Sequence, residues 1–166
     1  MAVKVNIPDN IEKIERSDFL TFLDTTPSST ATWKILGIGV TDFGIDYGAS
    51  VDSEKWIIEN TARINHSSNE KQGSVTQTAY KNDPLFEFVN AGRDKLNYKT
   101  HILDIDIWNG NGSTYPAKKS DGKIVIENYM GENAAIEYTI HYEGDPVEGT
   151  VTFADGVPSF TPTTSL

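Results

Sequence analysis

The sequence predicts a single, mainly β domain with one α-helix. Among its 166 residues are seven Phe, seven Tyr and three Trp, and these aromatic residues favour strands. Thirteen Gly and seven Pro supply the turns that separate short strands. A chain of this length suits one domain with a sizeable core, since domains cluster at about 100–150 residues. We therefore expect residues 1–166 to form one domain.

The first fifty residues predict an arm followed by strands. Residues 1–17 are polar and without sustained periodicity, so we expect an N-terminal arm. FLTFLDTT (19–26) predicts a strand, and the PSSTAT stretch after it predicts a turn. Glycines interrupt the segment 33–49, which is typical of bends between the strands of a barrel or sandwich.

The segment 51–80 predicts a long β-hairpin. Two strand-like stretches, 55–64 and 74–80, flank the polar, glycine-bearing tip 65–73. This tip is longer than the loops of about two to five residues that most hairpins use. Loops of this size commonly bind a partner or remain mobile.

One helix is predicted, over residues 84–96. Asp83 suits the N-cap and Pro84 the first helical position. The apolar stripe of this helix consists of Leu85, Phe88, Val89, Gly92 and Leu96. Because Gly92 lies on the stripe, we expect it to permit a close backbone approach.

The rest of the chain predicts alternating strands and turns. After THILDIDIW (100–108) we expect a long loop over 110–122, strands over 122–129 and 134–142, a turn over 143–149, a strand over 150–155, and a C-terminal tail over 156–166. In the strand 134–142 the polar residues alternate with Ile and Tyr, which indicates one buried and one solvated face.

The strand THILDIDIW most resembles an active site. Alternation places Ile102, Asp104, Asp106 and Trp108 on one face, and His101, Leu103, Ile105 and Ile107 on the other. Two carboxylates beside a Trp could be a catalytic pair, a metal clamp or the solvated side of a sheet.

The solvated face is the favoured interpretation of Asp104 and Asp106. Their spacing of roughly 6.6 Å suits paired carboxylates, and the pattern resembles the Glu-x-Asp-x-Glu strand of laminarinase-type hydrolases. That pattern needs a third acid, however, where this chain has Trp108. A glycoside hydrolase using Asp104 and Asp106 is therefore the weakest of the functions considered.

Other catalytic and metal-binding motifs are not found in the sequence. The chain has no cysteine, no EF-hand spacing and no G-x-S-x-G elbow, and His66, His101 and His141 are scattered. We expect His101, on the apolar face, to be a hydrogen-bonded core or interface residue.

The charge is strongly acidic and uneven. The 24 acidic and 14 basic residues give a net charge of −10, and after Lys123 there are seven acidic residues and no Lys or Arg. Such a surface disfavours tight binding of a phosphate backbone. No stretch approaches the roughly 20 apolar residues of a membrane span, and no signal peptide is evident, so we expect a soluble protein without membrane contact.

Several motifs occur in one order along residues 19–155. They are Thr-x-x-Trp at Thr30 to Trp33, TAYKNDPLFEFV, YPAKK and GDPVEGT. In this order the chain resembles the major tail tube protein of long, non-contractile-tailed (siphovirus-type) phages and prophages.

The resemblance implies a structural role in the virion tail, after synthesis in the host cytoplasm. Such proteins fold as a β-sandwich or partly closed barrel with one flanking helix and a long hairpin arm. Six subunits form a ring, and rings stack into a tube through which DNA passes without specific binding. The partners implied are further copies of the chain, a tape-measure protein and tail-end proteins. The resemblance implies no enzyme activity, cofactor or metal.

The resemblance also suggests two sets of site residues. We expect the hairpin to contact neighbouring subunits through Trp56, Ile57, Ile58, Ala62, Arg63 and Ile64. We expect a charged face towards the lumen formed by Asp104, Asp106, Glu137 and Glu143. The alternative function is a carbohydrate-binding or host-adhesion β-sandwich that uses Trp108 or Trp56 as a sugar platform.

Overall fold

The structure, a computed structural model, describes residues 9–163 and confirms a mainly β fold. Within that range the strands are β1 (Phe19–Asp24), β2 (Trp33–Ile35), β3 (Ala49–Glu54), β4 (Arg63–Asn69), β5 (Gln72–Thr78), β6 (Tyr98–Asp106), β7 (Tyr115–Asn128), β8 (Ala135–Ala154) and β9 (Val157–Pro162), and the helix is α1 (Pro84–Ala91). Residues 1–8 of the predicted arm and 164–166 of the predicted tail lie outside the described residues. Residues 11–15 are exposed and have no regular secondary structure.

Seven strands form one antiparallel sheet that is nearly closed. Their order is β2-β1-β6-β7-β8-β5, and β9 pairs with the C-terminal part of β8. The connection from β2 to β3 links the two edges. At one edge the Leu36 N–H donates to the Thr21 carbonyl (2.8 Å), and at the other Val40 and Asp46 pair with β5. The prediction of a partly closed barrel with one flanking helix is therefore confirmed.

The central strand β6 is buried on both faces, because a separate hydrophobic cluster packs against each. Ile102 belongs to the helix-side core, whose buried members are Leu23, Leu36, Phe43, Val75, Leu85, Val89, Ile102, Ile124, Ile136, Tyr138 and Ile140. Leu103 and Ile105 point the other way into a second core, whose buried members are Phe22, Leu103, Ile105, Ala117 and Val151. The second core covers only part of that face, so the remainder of the sheet is left to solvent.

The helix begins as predicted and ends earlier. The Asp83 side chain accepts a hydrogen bond from the Leu85 N–H (3.0 Å), which confirms the N-cap. The helix stops at Ala91 instead of residue 96, and Leu96 is 93% exposed. Gly92 permits the expected close approach, since the Tyr98 ring lies directly against it. No helix within residues 9–163 is long and apolar enough to cross a membrane.

The hairpin is displaced from its predicted position. Strands β3 and β4 pair with each other over residues 49–69, and the turn at the tip covers residues 55–62. The predicted tip, 65–73, instead contributes to β4 and to β5, and β5 returns to the main sheet beside β8. The prediction was wrong because Ile57 and Ile58 suggested a buried strand, whereas both are exposed.

The C-terminal half contains more strand than predicted. Most of the expected loop 110–122 belongs to β7, and the expected turn 143–149 lies within the 20-residue strand β8. Residues 157–162 of the expected tail form β9, where Pro158 is buried and Phe160 packs against the second core. Pro in an edge strand costs no ladder hydrogen bond, which is why these Pro-rich residues can still pair.

A buried carboxylate organises the turn after β1. Asp24 accepts hydrogen bonds from the backbone N–H groups of Thr26 and Thr32, both at 2.9 Å, and lies 2.8 Å from His101 Nδ1. The expectation that His101 is hydrogen-bonded is confirmed. Burial raises the pKa of Asp24, but the hydrogen bonds from His101, Thr26 and Thr32 outweigh burial and leave that pKa below its ordinary value.

The contact between Gly92 and Tyr98 predicts a large effect of a single methyl group. A Cβ at residue 92 would lie 2.3 Å from the Tyr98 ring, which is held by a hydrogen bond to the Phe88 carbonyl (3.0 Å). We expect Gly92→Ala to lower the free energy of unfolding by about 1–3 kcal/mol, measured by urea denaturation. The matched control is Gly44→Ala, because nothing lies within 4 Å of a Cβ there. Equal stability of the two variants would contradict this packing.

The lowered pKa of Asp24 predicts a loss of stability in acid. The folded state favours the ionised form, so this contribution is fully present above the ordinary carboxyl pKa, about 4, and is lost as the pH falls through the lower folded-state value. We expect Asp24→Asn to flatten the dependence of the urea midpoint on pH in this acidic range. Asp94→Asn, at a carboxylate that is 91% exposed, is the control and should follow the parent chain.

Candidate functional site

The sheet has a solvated surface on the side away from α1, here called the polar sheet face. Its residues on β5 to β8, which point away from the helix-side core and lie beyond the second core, include Ser74, Thr76, Lys99, His101, Asp121, Lys123, Val125, Glu127, Glu137, Thr139, His141 and Glu143. Lys119 points the same way but lies beside Trp33 at the second core. Two lysines stand against four carboxylates, so the face carries a net charge of −2 with His neutral. It is therefore hydrophilic and mildly acidic.

Two of the four predicted lumen residues lie on the polar sheet face. Glu137 is exposed opposite Thr76 of β5. Glu143 is also exposed, and its carboxylate lies 2.6 Å from Lys123 Nζ of the neighbouring strand β7. Exposed ion pairs of this kind contribute little to stability. The polar sheet face therefore carries many charges that are not needed for folding.

Asp104 does not lie on this face. It points to the opposite side of β6, is 6% exposed, and accepts hydrogen bonds from the Thr21 hydroxyl (2.8 Å) and the Tyr142 hydroxyl (3.3 Å). Lys71 Nζ lies 3.4 Å from its other oxygen. A solvated carboxylate at Asp104 was expected, and the structure shows a buried one.

Burial dominates the electrostatics of this carboxylate. It raises the pKa of Asp104 above the ordinary value, although the Thr21 hydroxyl, the Lys71 ammonium and the Tyr142 hydroxyl each act to lower it. Burial, together with the adjacent Asp104, also raises the pKa of Tyr142. Asp106 lies at the end of β6, half-buried and paired with Phe19. Asp104 and Asp106 therefore do not form an open pair of carboxylates that a sugar could reach.

The hairpin arm (residues 49–69) has no core of its own. Every residue of β3 and β4 is exposed, including Val51 (55%) and Ile64 (75%). At the tip, Ile57 and Ile58 are 103% and 85% exposed. These two isoleucines extend into solvent without any contact that would bury them.

The tip is nevertheless ordered by side-chain contacts. The guanidinium of Arg63 lies 4.0 Å from the centre of the Trp56 ring, and its Nε donates to Glu59 (3.0 Å). The indole N–H of Trp56 donates to Glu54 (3.2 Å). All six predicted interface residues, Trp56, Ile57, Ile58, Ala62, Arg63 and Ile64, lie together at this end of the arm. These six residues come together because residues 55–62 form a turn, whereas residues 55–64 were expected to form a strand.

The tryptophans differ in exposure. Trp33 packs against the second core, whereas Trp108 is 53% exposed in a short turn after β6, so it does not continue the strand as predicted. Trp56 is 48% exposed and lies under Arg63. Trp108 and Trp56 are thus more exposed than Trp33, which is half-buried.

Sequence reasoning missed the residues that surround Asp104. Thr21, Lys71 and Tyr142 come from β1, from the junction of β4 and β5, and from β8, so no local motif links them. One signal was present: Ile102, Leu103 and Ile105 alternate onto both faces of β6, which is typical of a strand buried on both sides. An aspartate within such a strand is expected to need buried partners.

Comparison with known proteins finds proteins that resemble this chain in structure but none that match it in sequence. No protein-family model matches the chain, and no curated protein matches it in sequence. A subunit of the SPP1 tail tube, solved by solid-state NMR and cryo-EM, superposes with a TM-score of 0.62, 12% identity, and coverage of 87% of this chain and 82% of that chain. The baseplate of the anti-feeding prophage (AFP) matches 84% of this chain and 96% of its own chain at 7% identity, with a TM-score of 0.45 that is too low to support an inference.

The SPP1 likeness and the sequence motifs therefore agree on architecture. A sheet closed nearly into a barrel, one flanking helix and a projecting hairpin are what the resemblance in sequence implied. The fold of this chain is that of a tail tube subunit.

Proposed function

We propose that this chain is a structural subunit of a phage tail tube, which assembles into six-membered rings that stack around a channel for DNA. The observation that carries the proposal is a hydrophilic, acidic sheet face opposite a helix-covered core, in a chain that shares the fold of the SPP1 tail tube. In this arrangement the polar sheet faces of neighbouring subunits form the wall of the channel. The role is structural and needs no catalytic residue or cofactor.

The arm supports self-assembly. An isolated two-stranded hairpin is marginal in water, since it buries too little apolar surface to offset the entropy of its folding. Here the hairpin also presents Ile57 and Ile58 to solvent. Contact with a second copy of the chain would bury these side chains and stabilise the arm, at about 25 cal/mol per Å² of apolar area.

The charge of the polar sheet face suits passage of DNA. A wall with clustered Lys or Arg would bind phosphate by displacing condensed counterions, and DNA would be held. Glu137 and Glu143, with the nearby carboxylates of Asp121 and Glu127, repel phosphate instead. Of the four residues expected at the lumen, Glu137 and Glu143 remain, whereas Asp104 is buried and Asp106 is half-buried at the end of β6.

The remaining partners follow from this role. A tape-measure protein would occupy the channel during assembly, and tail-end proteins would bind the first and last rings. The assembled location is the tail of the virion, after synthesis in the host cytoplasm.

A carbohydrate-binding module is the second candidate, and the exposure of Trp108 and Trp56 favours it. Half-exposed rings can stack on sugars, and an adhesion module would remain monomeric. A hydrolase using Asp104 is disfavoured by the burial of that carboxylate. A chain that stays monomeric at high concentration and binds a glycan array through Trp108 would favour the module.

The arm predicts that assembly depends on its two exposed isoleucines. Negative-stain electron microscopy of the concentrated chain should show rings or hollow tubes. The double variant Ile57→Asp with Ile58→Asp should remain folded by circular dichroism but form no tubes, because charged side chains would have to be buried at the contact. Leu96→Asp is the matched control, since Leu96 is equally exposed but lies outside the arm. Normal tubes from the double variant would remove the arm tip from the mechanism.

The acidic face predicts how assembled tubes respond to charge reversal. Glu137→Lys with Glu143→Lys changes the net charge of the polar sheet face from −2 to +2. We expect such tubes to retain duplex DNA with an affinity that falls as salt rises, whereas parent tubes do not. Retention is measured by co-sedimentation. Glu87→Lys, on an exposed part of α1, is the control, and equal DNA retention by both variants would contradict a lumen at this face.

A further inference from the structure

The arm is joined to the barrel by a narrow backbone connection. Asp46 and Gln72 exchange two backbone hydrogen bonds of 2.8 Å, and the Glu70 N–H donates to the Gly48 carbonyl at 3.3 Å. Gly48 has a φ of +51°, and a Cβ there would lie 2.6 Å from the Glu70 carbonyl oxygen, so only glycine fits this base. Beyond it both strands of the arm are exposed. The Lys71 carbonyl also accepts from the Tyr142 N–H of β8 (3.0 Å). Within residues 9–163 no backbone hydrogen bond joins residues 49–69 to the barrel, so backbone pairing does not fix the angle of the arm.

One side chain ties the base of the arm to the barrel. Lys71 follows β4, and its Nζ lies 3.4 Å from Asp104 Oδ2 and 4.0 Å from the centre of the Tyr142 ring. It also lies 5.5 Å from the ring of Tyr47, on the chain that enters the arm. Its side chain is only 17% exposed. The ammonium group thus lies between Tyr47, just before the arm, and Asp104 and Tyr142 of the barrel.

The acceptor for this lysine is fixed in place. Asp104 is held by the hydroxyls of Thr21 on β1 and Tyr142 on β8, so three strands of the barrel determine where the carboxylate sits. A buried pair of this kind adds little net stability, because removing both charges from water costs about as much as their attraction returns. What it does supply is a defined geometry.

We propose that Lys71 and Asp104 are positioning residues that fix the angle at which the arm leaves the barrel, so that the tip is presented to a second copy of the chain. That the arm angle serves assembly rests on the proposed function, whereas the contact between Lys71 and Asp104 does not depend on it. The pair holds the arm in the free subunit and so lowers the entropy lost on assembly.

The absence of cysteine allows a direct test of the arm angle. Asn60→Cys at the tip and Glu87→Cys on α1 place two spin labels on exposed positions, and pulsed electron paramagnetic resonance on the dilute monomer gives their distance distribution. We expect a narrow distribution in the parent chain and a broader, shifted one in Asp104→Asn. The melting temperature of Asp104→Asn should fall, because the variant leaves the largely buried Lys71 ammonium without its carboxylate, so circular dichroism at the temperature of labelling checks that the variant is folded.

Two further variants keep the test decisive. Tyr47→Leu changes only the arm side of the contact at a half-exposed residue and should also broaden the distribution. Lys123→Met is the matched control, because Lys123 pairs with Glu143 (2.6 Å) on the opposite side of the sheet and its loss should leave the distribution narrow. The proposal is overturned if either Asp104→Asn or Tyr47→Leu keeps the narrow distribution of the parent chain, or if Lys123→Met broadens it equally. Failure of the parent chain to form tubes would instead count against the proposed function.

Discussion

The structure depends on a central strand that is covered on both of its faces. Ile102 of β6 packs under the helix while Leu103 and Ile105 pack into the second core, so neighbouring strands must supply two apolar surfaces at this point. Asp104 lies in the same strand and cannot reach solvent. It therefore requires Thr21, Tyr142 and Lys71, because an unpaired buried carboxylate would cost several kcal/mol by a rough estimate. Lys71 lies at the base of the arm, so this requirement links the central strand to that base.

The second core covers only part of one side of the sheet, so this side has an apolar, buried part and a polar, solvated part. Where Phe22, Leu103 and Val151 meet, the sheet is closed and stable. Along β5 to β8 the same face carries Glu137, Glu143 and other polar side chains that solvent can reach. The charges of this surface can therefore change without disturbing the packing on the other side of the sheet.

The sequence predicted those elements whose signals are local. The fold class follows from composition, and the helix start follows from Asp83 and Pro84, whose roles depend only on adjacent residues. The predicted helix end and hairpin register were wrong, because Leu96, Ile57 and Ile58 are apolar residues that the fold leaves exposed. Periodicity cannot distinguish an apolar side chain that the fold buries from one that it leaves exposed. The partners of Asp104 were missed because they are 33 to 83 residues away in sequence.

The length of β8 has a mechanical consequence. One strand of 20 residues pairs with β7 along most of its length, with β5 near its start and with β9 near its end. A pull along its axis loads many inter-strand hydrogen bonds at once, in shear, so they must yield together and not one after another. At about 3.3 Å per residue such a strand reaches roughly 65 Å, long enough to transmit tension along the whole length of the domain.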